Sequence, residues 1–526
     1  MCILTLAAFT SHLYSDQILN WSNVEGVQIQ GRFVRLENDY LTIIKDNKEF
    51  KVDISKLSES SQRQAREMAE LQIENQAPIE TAPPKSFGKQ KDPDHQRKLA
   101  ESMLQKKAAI SILQGSKAIP ITDIEQLPAG KITIQSIEAT QAPFSDEDAV
   151  LLNGCEKLEK LAIYGASLEA IPFESLSSLS YLETRGCRID TAAYRGLRNS
   201  KTLTFFAMPE ALGGANNEIT SILATCPNLK FIDLYSAGLM GSPLQDMTNL
   251  QMLDTLKIGG SNQIDPTDLD SLAKLPSLMV LDLSNMDLTA TSFDFLVNLK
   301  SVQRLYFHGA KLPENAFEKI SKMRSLTLIW LLGSNVSEKM LSSLSGHKTL
   351  TGLVMSYTSI SGESFSGFKP IPTLRDLYLN EAPVTEAGLQ SISNAFPSLV
   401  TLEINGASIG KSGFQNFEKL KKIQDLRIIG PTRIDRLALV SLNVCKSLSK
   451  LSLTGAHLDS NTLMALADLR RQLEYLDISD TNVDDASIEG LSEFKLLKHL
   501  NIKGTKITNA GKSKISDLLV NCEILY

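Results

Sequence analysis

Six cysteines and six histidines are the residues in this 526-residue chain best suited to hold a metal or attack a substrate, and their spacing argues against both. No CxxC, HExxH or GxSxG occurs, and these are the patterns that set two metal ligands, or a nucleophile on a tight turn, at working distance. His12, His95, His308, His347, His457 and His499 fall on different stretches with no ligand spacing among them. Cys155, Cys226, Cys445 and Cys522 each lie three residues before a leucine (Leu158, Leu229, Leu448, Leu525) that opens a recurring pattern. One repeated slot therefore accounts for four thiols, as small residues closing the helical side of a repeat. Cys187 falls in a turn slot held elsewhere by Ala166, Ala237, Ala310, Thr358, Ala407 and Thr505. The thiols read as structural and unpaired. The acidic fragments Ser145 to Asp148 and Asp265 to Asp270 read as helix starts, where a cap and nearby acids complement the helix dipole. Asn20-Trp21-Ser22 and Asn335-Val336-Ser337 match the glycosylation sequon, a short pattern that chance often produces. The expectation is no catalytic residue, no metal and no cofactor.

Composition narrows the partner. A net charge of −6 argues against nucleic acid, which demands a basic face. No apolar run reaches the ~20 residues that span a bilayer. The stretch Cys2 to Phe9 has the length of a secretory apolar core, and Leu13-Tyr14-Ser15 can precede a cleavage point, although no positive residues lead it. Residues 1–15 are taken as a possible signal peptide, and export to the periplasm, envelope or exterior is favoured over the cytoplasm.

The pattern LxxLxLxxxxL recurs along most of the chain. It fits from Leu158 to Leu168, Leu179 to Ile189 and Leu229 to Leu239, and again from Leu278, Val302, Leu326 and Leu350. It continues from Leu374, Leu399, Leu448, Leu473 and Leu497, with starts about 24 residues apart, a leucine-rich-repeat period. Within a copy such as Leu281-Asp282-Leu283, apolar and polar residues alternate as in a strand with one buried face. The stretch Thr385 to Phe396 has helical spacing and returns the chain across the opposite side. One copy cannot bury its apolar face, whereas stacked copies share a parallel sheet and a core. The expected fold is an α/β leucine-rich-repeat solenoid with the sheet on the concave face and helices on the convex face. The copies at Leu253 and Ile423 gain a residue, and the copy at Leu203 carries Pro209 and the loop Gly213 to Asn217.

Residues 20–72 break the rhythm. Three alternating runs (Val27 to Leu36, Tyr40 to Ile44, Phe50 to Ile54) are separated by polar turns and followed by a helix after Ser58. With Trp21 and the run from Glu25-Gly26 to Leu57-Ser58-Glu59, this segment resembles the Sla homology domain, an SH3-like module first described in an endocytic adaptor that binds short peptide signals. The resemblance implies a small β domain over about a tenth of the chain. Residues 73–95 are polar and proline-rich, the composition of a flexible linker. Residues 96–157, starting with an amphipathic stretch at Leu99, Met103 and Leu104, read as a cap on repeats spanning 158–526. Cap and repeats are similar to exported leucine-rich-repeat proteins of planctomycete-like and verrucomicrobial bacteria. The repeats are also similar to those of F-box substrate receptors, but no F-box precedes them.

The residue between the second and third leucine of each copy should face the concave side. Down that column Tyr306, Trp330, Val354 and Tyr378 fall on consecutive copies, with His308 and Leu332 in the next column. Strands ~4.8 Å apart make Tyr306 to Tyr378 a continuous aromatic patch on the order of 15 Å long. Large rigid side chains on a curved sheet are typical anchors for a partner, though they can equally pack on one another and steady the sheet. The same two readings apply to a second cluster of Tyr164, Tyr181, Phe205, Phe231 and Tyr235. The favoured function is a non-catalytic adaptor or scaffold that binds a protein, a peptide or a glycan. The alternatives are a substrate-recognition subunit of an enzyme complex and a structural envelope protein. Oligomeric state is not legible.

Overall fold

The computed structural model describes residues 18–22, 28–37, 40–45, 48–58, 61–62, 65, 87, 92–212, 217–260, 262–405, 408–410 and 412–526. The expected signal peptide at 1–15, nearly all of the expected linker at 73–95 and the tip of the 213–217 loop lie outside them.

Near the N-terminus β1 (Ile18–Ser22), β2 (Gln28–Glu37), β3 (Tyr40–Lys45) and β4 (Lys48–Asp53) form an antiparallel sheet in chain order. Its register pairs Trp21 with Ile29 and Leu41 with Val52.

The segment expected to cap the repeats begins with α1 (His95–Gln105), which buries one stripe of Leu99, Ala100, Met103 and Leu104. Behind it β5 (Ala109–Gln114) pairs antiparallel with β6 (Lys117–Ile121) and with β7 (Ile134–Ala139). From β7 onward every pairing is parallel. β7 pairs with β8 (Lys160–Tyr164), setting Ile137 beside Leu161, so the sheet starts one coil before the first clear leucine pattern. Asp148 ties the layers together. Its buried carboxylate takes hydrogen bonds from Ser102 Oγ (2.7 Å) and the Ser145 backbone N–H (2.9 Å), and pairs with Lys106 (2.5 Å). These donors hold its pKa below the ordinary carboxylate value although burial pushes the other way. It also completes a capping box with Ser145 at the start of α2 (Asp146–Leu151). Asp265 starts its segment without a side-chain cap, and Asp268 instead accepts the Leu244 N–H of the previous coil (2.6 Å).

The main sheet continues coil by coil to Glu523–Leu525, giving nineteen strands among the described residues. Leu161, Leu182, Phe206, Ile232, Leu256, Leu281, Leu305, Ile329, Leu353, Leu377, Leu402 and Leu426 stand side by side along it, each fully or almost fully buried. One continuous apolar core runs from Leu99 to Leu519. The architecture is an α/β leucine-rich-repeat solenoid. Its convex side is less helical than the spacing suggested. The Glu386–Ala395 segment is a true α-helix, but Thr191–Leu197, Pro243–Asn249, Pro266–Lys274 and Met464–Arg471 are 3-10 turns, the tighter geometry that fits a short return path. The two copies with an extra residue each form a second short parallel pair with the preceding coil, at Gln263–Ile264 and Arg433–Ile434.

Cys155, Cys226 and Cys445 are buried in their shared slot, and burial pushes the Cys155 and Cys445 thiols up to about 12. Cys187 fills the turn slot with its Sγ 3.4 Å from the Ile163 carbonyl. Cys522 departs from the sequence reading. The register pairs Leu500 with Ile524, so Leu525 is not an opening leucine, and Cys522 lies outside the slot and is only half-buried. The final coil's opening position is Asn521, four residues before the leucine to which the pattern had been extended.

Candidate functional site

Three columns of side chains face outward from each strand of the concave sheet, because neighbouring residues alternate between core and solvent. After most strands the chain turns through one residue with positive φ. Most coils place glycine there, as at Gly309 (φ +61°) and Gly333 (φ +66°).

The central columns bring the sequence-predicted residues together in register: Tyr306 beside Trp330, Trp330 beside Val354, Val354 beside Tyr378. The Tyr306 and Trp330 rings stack with centroids 5.9 Å apart at 27°. Both are half-buried, as are Leu332 and Tyr378, while His308 is exposed. Val354 is different: at 6% exposure it is a floor beneath its neighbours and offers almost no contact surface of its own. It also separates Tyr378 from Trp330 by two strand spacings. The patch is thus a stacked pair plus an outlying tyrosine, not one unbroken aromatic strip.

Tyr378 faces a charged neighbourhood. Burial, and then the carboxylates of Asp376 and Glu403, push its hydroxyl above the ordinary phenol value. Arg427 forks onto Asp425 (3.0 and 2.9 Å) and reaches Glu403 at 3.2 Å. Glu403 also accepts from Asn380 Nδ2. On the other flank Lys257 pairs with Asp233 at 3.3 Å.

One residue of this region escaped the pattern. Tyr357 sits in the turn position that neighbouring coils give to Gly309 and Gly333, with φ +57° and 62% of its surface exposed. It follows the strand that carries Val354 and projects a ring where that strand otherwise offers little. Reading down the turn column, not only the strand columns, would have flagged it.

The second aromatic cluster resolves toward packing. Tyr181, Phe205 and Phe231 form a face-to-face ladder, with centroids 4.0 and 4.2 Å apart and planes within 8°. Lys160 lies over the Tyr181 ring (5.1 Å) and Lys257 over Phe231 (5.4 Å), so cations close both ends. The Tyr164 and Tyr181 hydroxyls both donate to Glu183, at 2.9 and 2.7 Å. The rings and hydroxyls are largely occupied with one another. Tyr235 stands apart from the ladder and meets Asn285 of a later coil.

Among the described residues no group of three or more histidine, cysteine, aspartate or glutamate side chains converges as a metal site would require. Nor is any helix there long and apolar enough to cross a membrane.

No family model and no curated protein matches the chain. Among solved structures it is similar to an internalin from Listeria monocytogenes (18% identity, TM-score 0.43), over 67% of this chain and 88% of that one. It is also similar to a leucine-rich-repeat protein of Leptospira interrogans (17%, TM-score 0.49), over 73% and 100%. A plant peptide hormone receptor, RGFR1, in complex with RGF2 aligns at 15% identity and TM-score 0.37, over 74% and 65%.

Proposed function

We propose that the protein is a non-catalytic binding module that holds a protein partner against the concave face of its repeats. Tyr306, His308, Trp330, Leu332 and Tyr378 are the main contacts, Val354 supports them from below, and Tyr357 adds a contact at the turn. The observation that carries the reading is the Tyr306–Trp330 pair. The Tyr181–Phe205–Phe231 ladder has rings about 4 Å apart and is closed by cations at both ends. The Tyr306–Trp330 rings are looser and lie beside half-buried Leu332 and exposed Tyr357. Aromatic side chains of this kind in a water-accessible hollow are where binding energy concentrates. On this reading the N-terminal sheet is an SH3-like module, tethered by the linker, that acts as a second recognition unit. On the same reading the apolar stretch Cys2 to Phe9 is a secretory core, which supports a location outside the cytoplasm.

The test is capture of the partner by the full chain, followed by affinity and melting measurements on Trp330→Ala. The expected loss is about 2 kcal/mol of binding, roughly thirtyfold. The stability cost should be near 1 kcal/mol, the size of one lost ring contact. Unchanged affinity rejects the site. A collapse in stability returns the pair to a packing role.

A further inference from the structure

The partner's chemistry can be read one column away, on the assumption that the concave face is the binding surface. Most charges on this stretch of the sheet are already satisfied. Lys257 pairs with Asp233, Arg427 with Asp425 and Glu403, and Glu381 takes a hydrogen bond from Asn405. The Asp282 carboxylate accepts the Ser284 N–H at 2.9 Å. Arg304 and Asp376 differ. Arg304 is exposed and Asp376 half-buried, and among the described residues neither makes an ion pair or a side-chain hydrogen bond.

The two stand in one row. Arg304 is in register with Leu328, Leu328 with Gly352, and Gly352 with Asp376. The middle of the row is apolar. Leu328 extends across Gly352, where an added Cβ would meet its Cδ1 at 2.8 Å, and Trp330 lies in the adjacent column. A cation and an anion with no ion-pair partner among the described residues therefore flank an apolar centre, three strand spacings or about 14 Å apart.

That spacing matches an extended chain. At ~3.3 Å per residue, positions i and i+4 lie about 13 Å apart, and i, i+2 and i+4 point to the same face. We propose that the concave site takes an extended segment of its protein partner running along the solenoid. This segment carries a carboxylate over Arg304, a large apolar side chain over Leu328 and Trp330, and a lysine or arginine over Asp376, at positions i, i+2 and i+4. The charges fix register and exclude wrong segments, and the apolar residue supplies most of the affinity.

The probes are synthetic nonapeptides with tryptophan at i+2, titrated into the full chain at low salt. One set carries opposite charges at i and i+4, in both orders because a segment can run either way. Others carry two glutamates, two lysines, or opposite charges at i and i+3, where they point to opposite faces. The opposite-charge i, i+4 peptide in its better order should bind about fivefold or more tighter than every other design. Arg304→Glu should transfer the preference to the two-lysine peptide, and Asp376→Lys to the two-glutamate peptide. Both substitutions lie outside the core, and a melting curve checks that each variant is folded. Equal binding by all designs, a ranking that neither substitution moves, or no binding up to millimolar peptide would each overturn the proposal. Partner capture with Trp330→Ala separates the two readings. If capture still needs Trp330 while the peptide ranking is flat, the patch stands and the charge reading falls. If capture ignores Trp330, the binding site itself is wrong.

Discussion

Tyr357 holds a left-handed backbone conformation that costs a residue with a Cβ about 1–2 kcal/mol, in a turn where the two preceding coils use glycine. A ring that is 62% exposed gains little from packing to offset that strain. Tyr357→Gly should therefore raise stability by about 1 kcal/mol, and if the ring contacts the partner the same change should weaken binding several-fold. Thermal melts and partner titration check the two halves separately; stability lost on substitution would show that the ring supports the turn. His347 makes a different argument. It occupies the slot three residues before an opening leucine that Leu250, Leu275, Leu299 and Leu420 fill in other coils. It is 6% exposed, with Nδ1 accepting from the Leu350 N–H at 3.2 Å and Nε2 unpartnered among the described residues. Burial holds its pKa below the ordinary 6.5. A depressed folded value means the unfolded chain binds the proton more tightly. The contribution to stability is thus fully present above about pH 6.5 and is lost as pH falls through the folded value. Melting temperatures at pH 7.5 and 5.0 should show a smaller acid-induced drop for His347→Leu than for the parent; equal drops would assign the acid sensitivity to other groups. The slot logic that exposed the buried cysteines in the sequence would have placed His347 too, had histidine been admitted to an apolar column.

Strands and returns differ in how far the sequence determines them. A strand of the main sheet needs only alternation and a leucine every 24 or so residues, and the register of Leu281 with Leu305 and of Tyr306 with Trp330 was legible on that ground alone. The convex returns were less so. A segment of seven to nine residues between fixed strand ends takes whatever helix closes the gap, and stretches with helical spacing such as Pro266–Lys274 close it as 3-10 turns. The aromatic columns were legible as residues but not as contacts, because spacing cannot distinguish rings that stack at 4.0 Å from rings that lie looser at 5.9 Å. Nor does alternation reveal that Val354 is covered by its neighbours. The distinction has a measurable consequence. Phe205 stacks on a ring at each side, so Phe205→Ala removes two contacts of about 0.5–1.5 kcal/mol each plus buried apolar area, and should cost about 2–3 kcal/mol. Partner affinity should be untouched. Denaturant melts alongside binding decide it, since lost affinity with retained stability would make the ladder a second binding site.

A solenoid couples each coil mainly to its two neighbours, and the scale of the whole molecule is set by how that chain of couplings is joined. Here the sheet, the leucine columns and the core all run unbroken from the cap to the final strand, and almost every contact that spans coils links adjacent ones. The exceptions are few; Asn285 reaching the Tyr235 hydroxyl two coils back is one. Stability should therefore add up locally, as the repeats' own terms plus nearest-neighbour interfaces. Leu353 lies in the buried column beside the Arg304–Asp376 row and is 1% exposed, flanked in register by Ile329 and Leu377. Leu353→Ala should leave a cavity costing about 2–5 kcal/mol. In a compact domain that loss would spread over the whole fold. Here hydrogen exchange should quicken in the strands at Leu328–Trp330, Gly352–Val354 and Asp376–Leu379, and fade within a coil or two on either side. Amides of β7 and of the strand His499–Asn501 should exchange as in the parent chain. A uniform rise across all strands would show instead that the cap-to-terminus core folds as one cooperative block. The binding patch would then be only as rigid as the molecule's weakest coil. A local rise would mean the concave site owes its shape to the three or four coils that carry it.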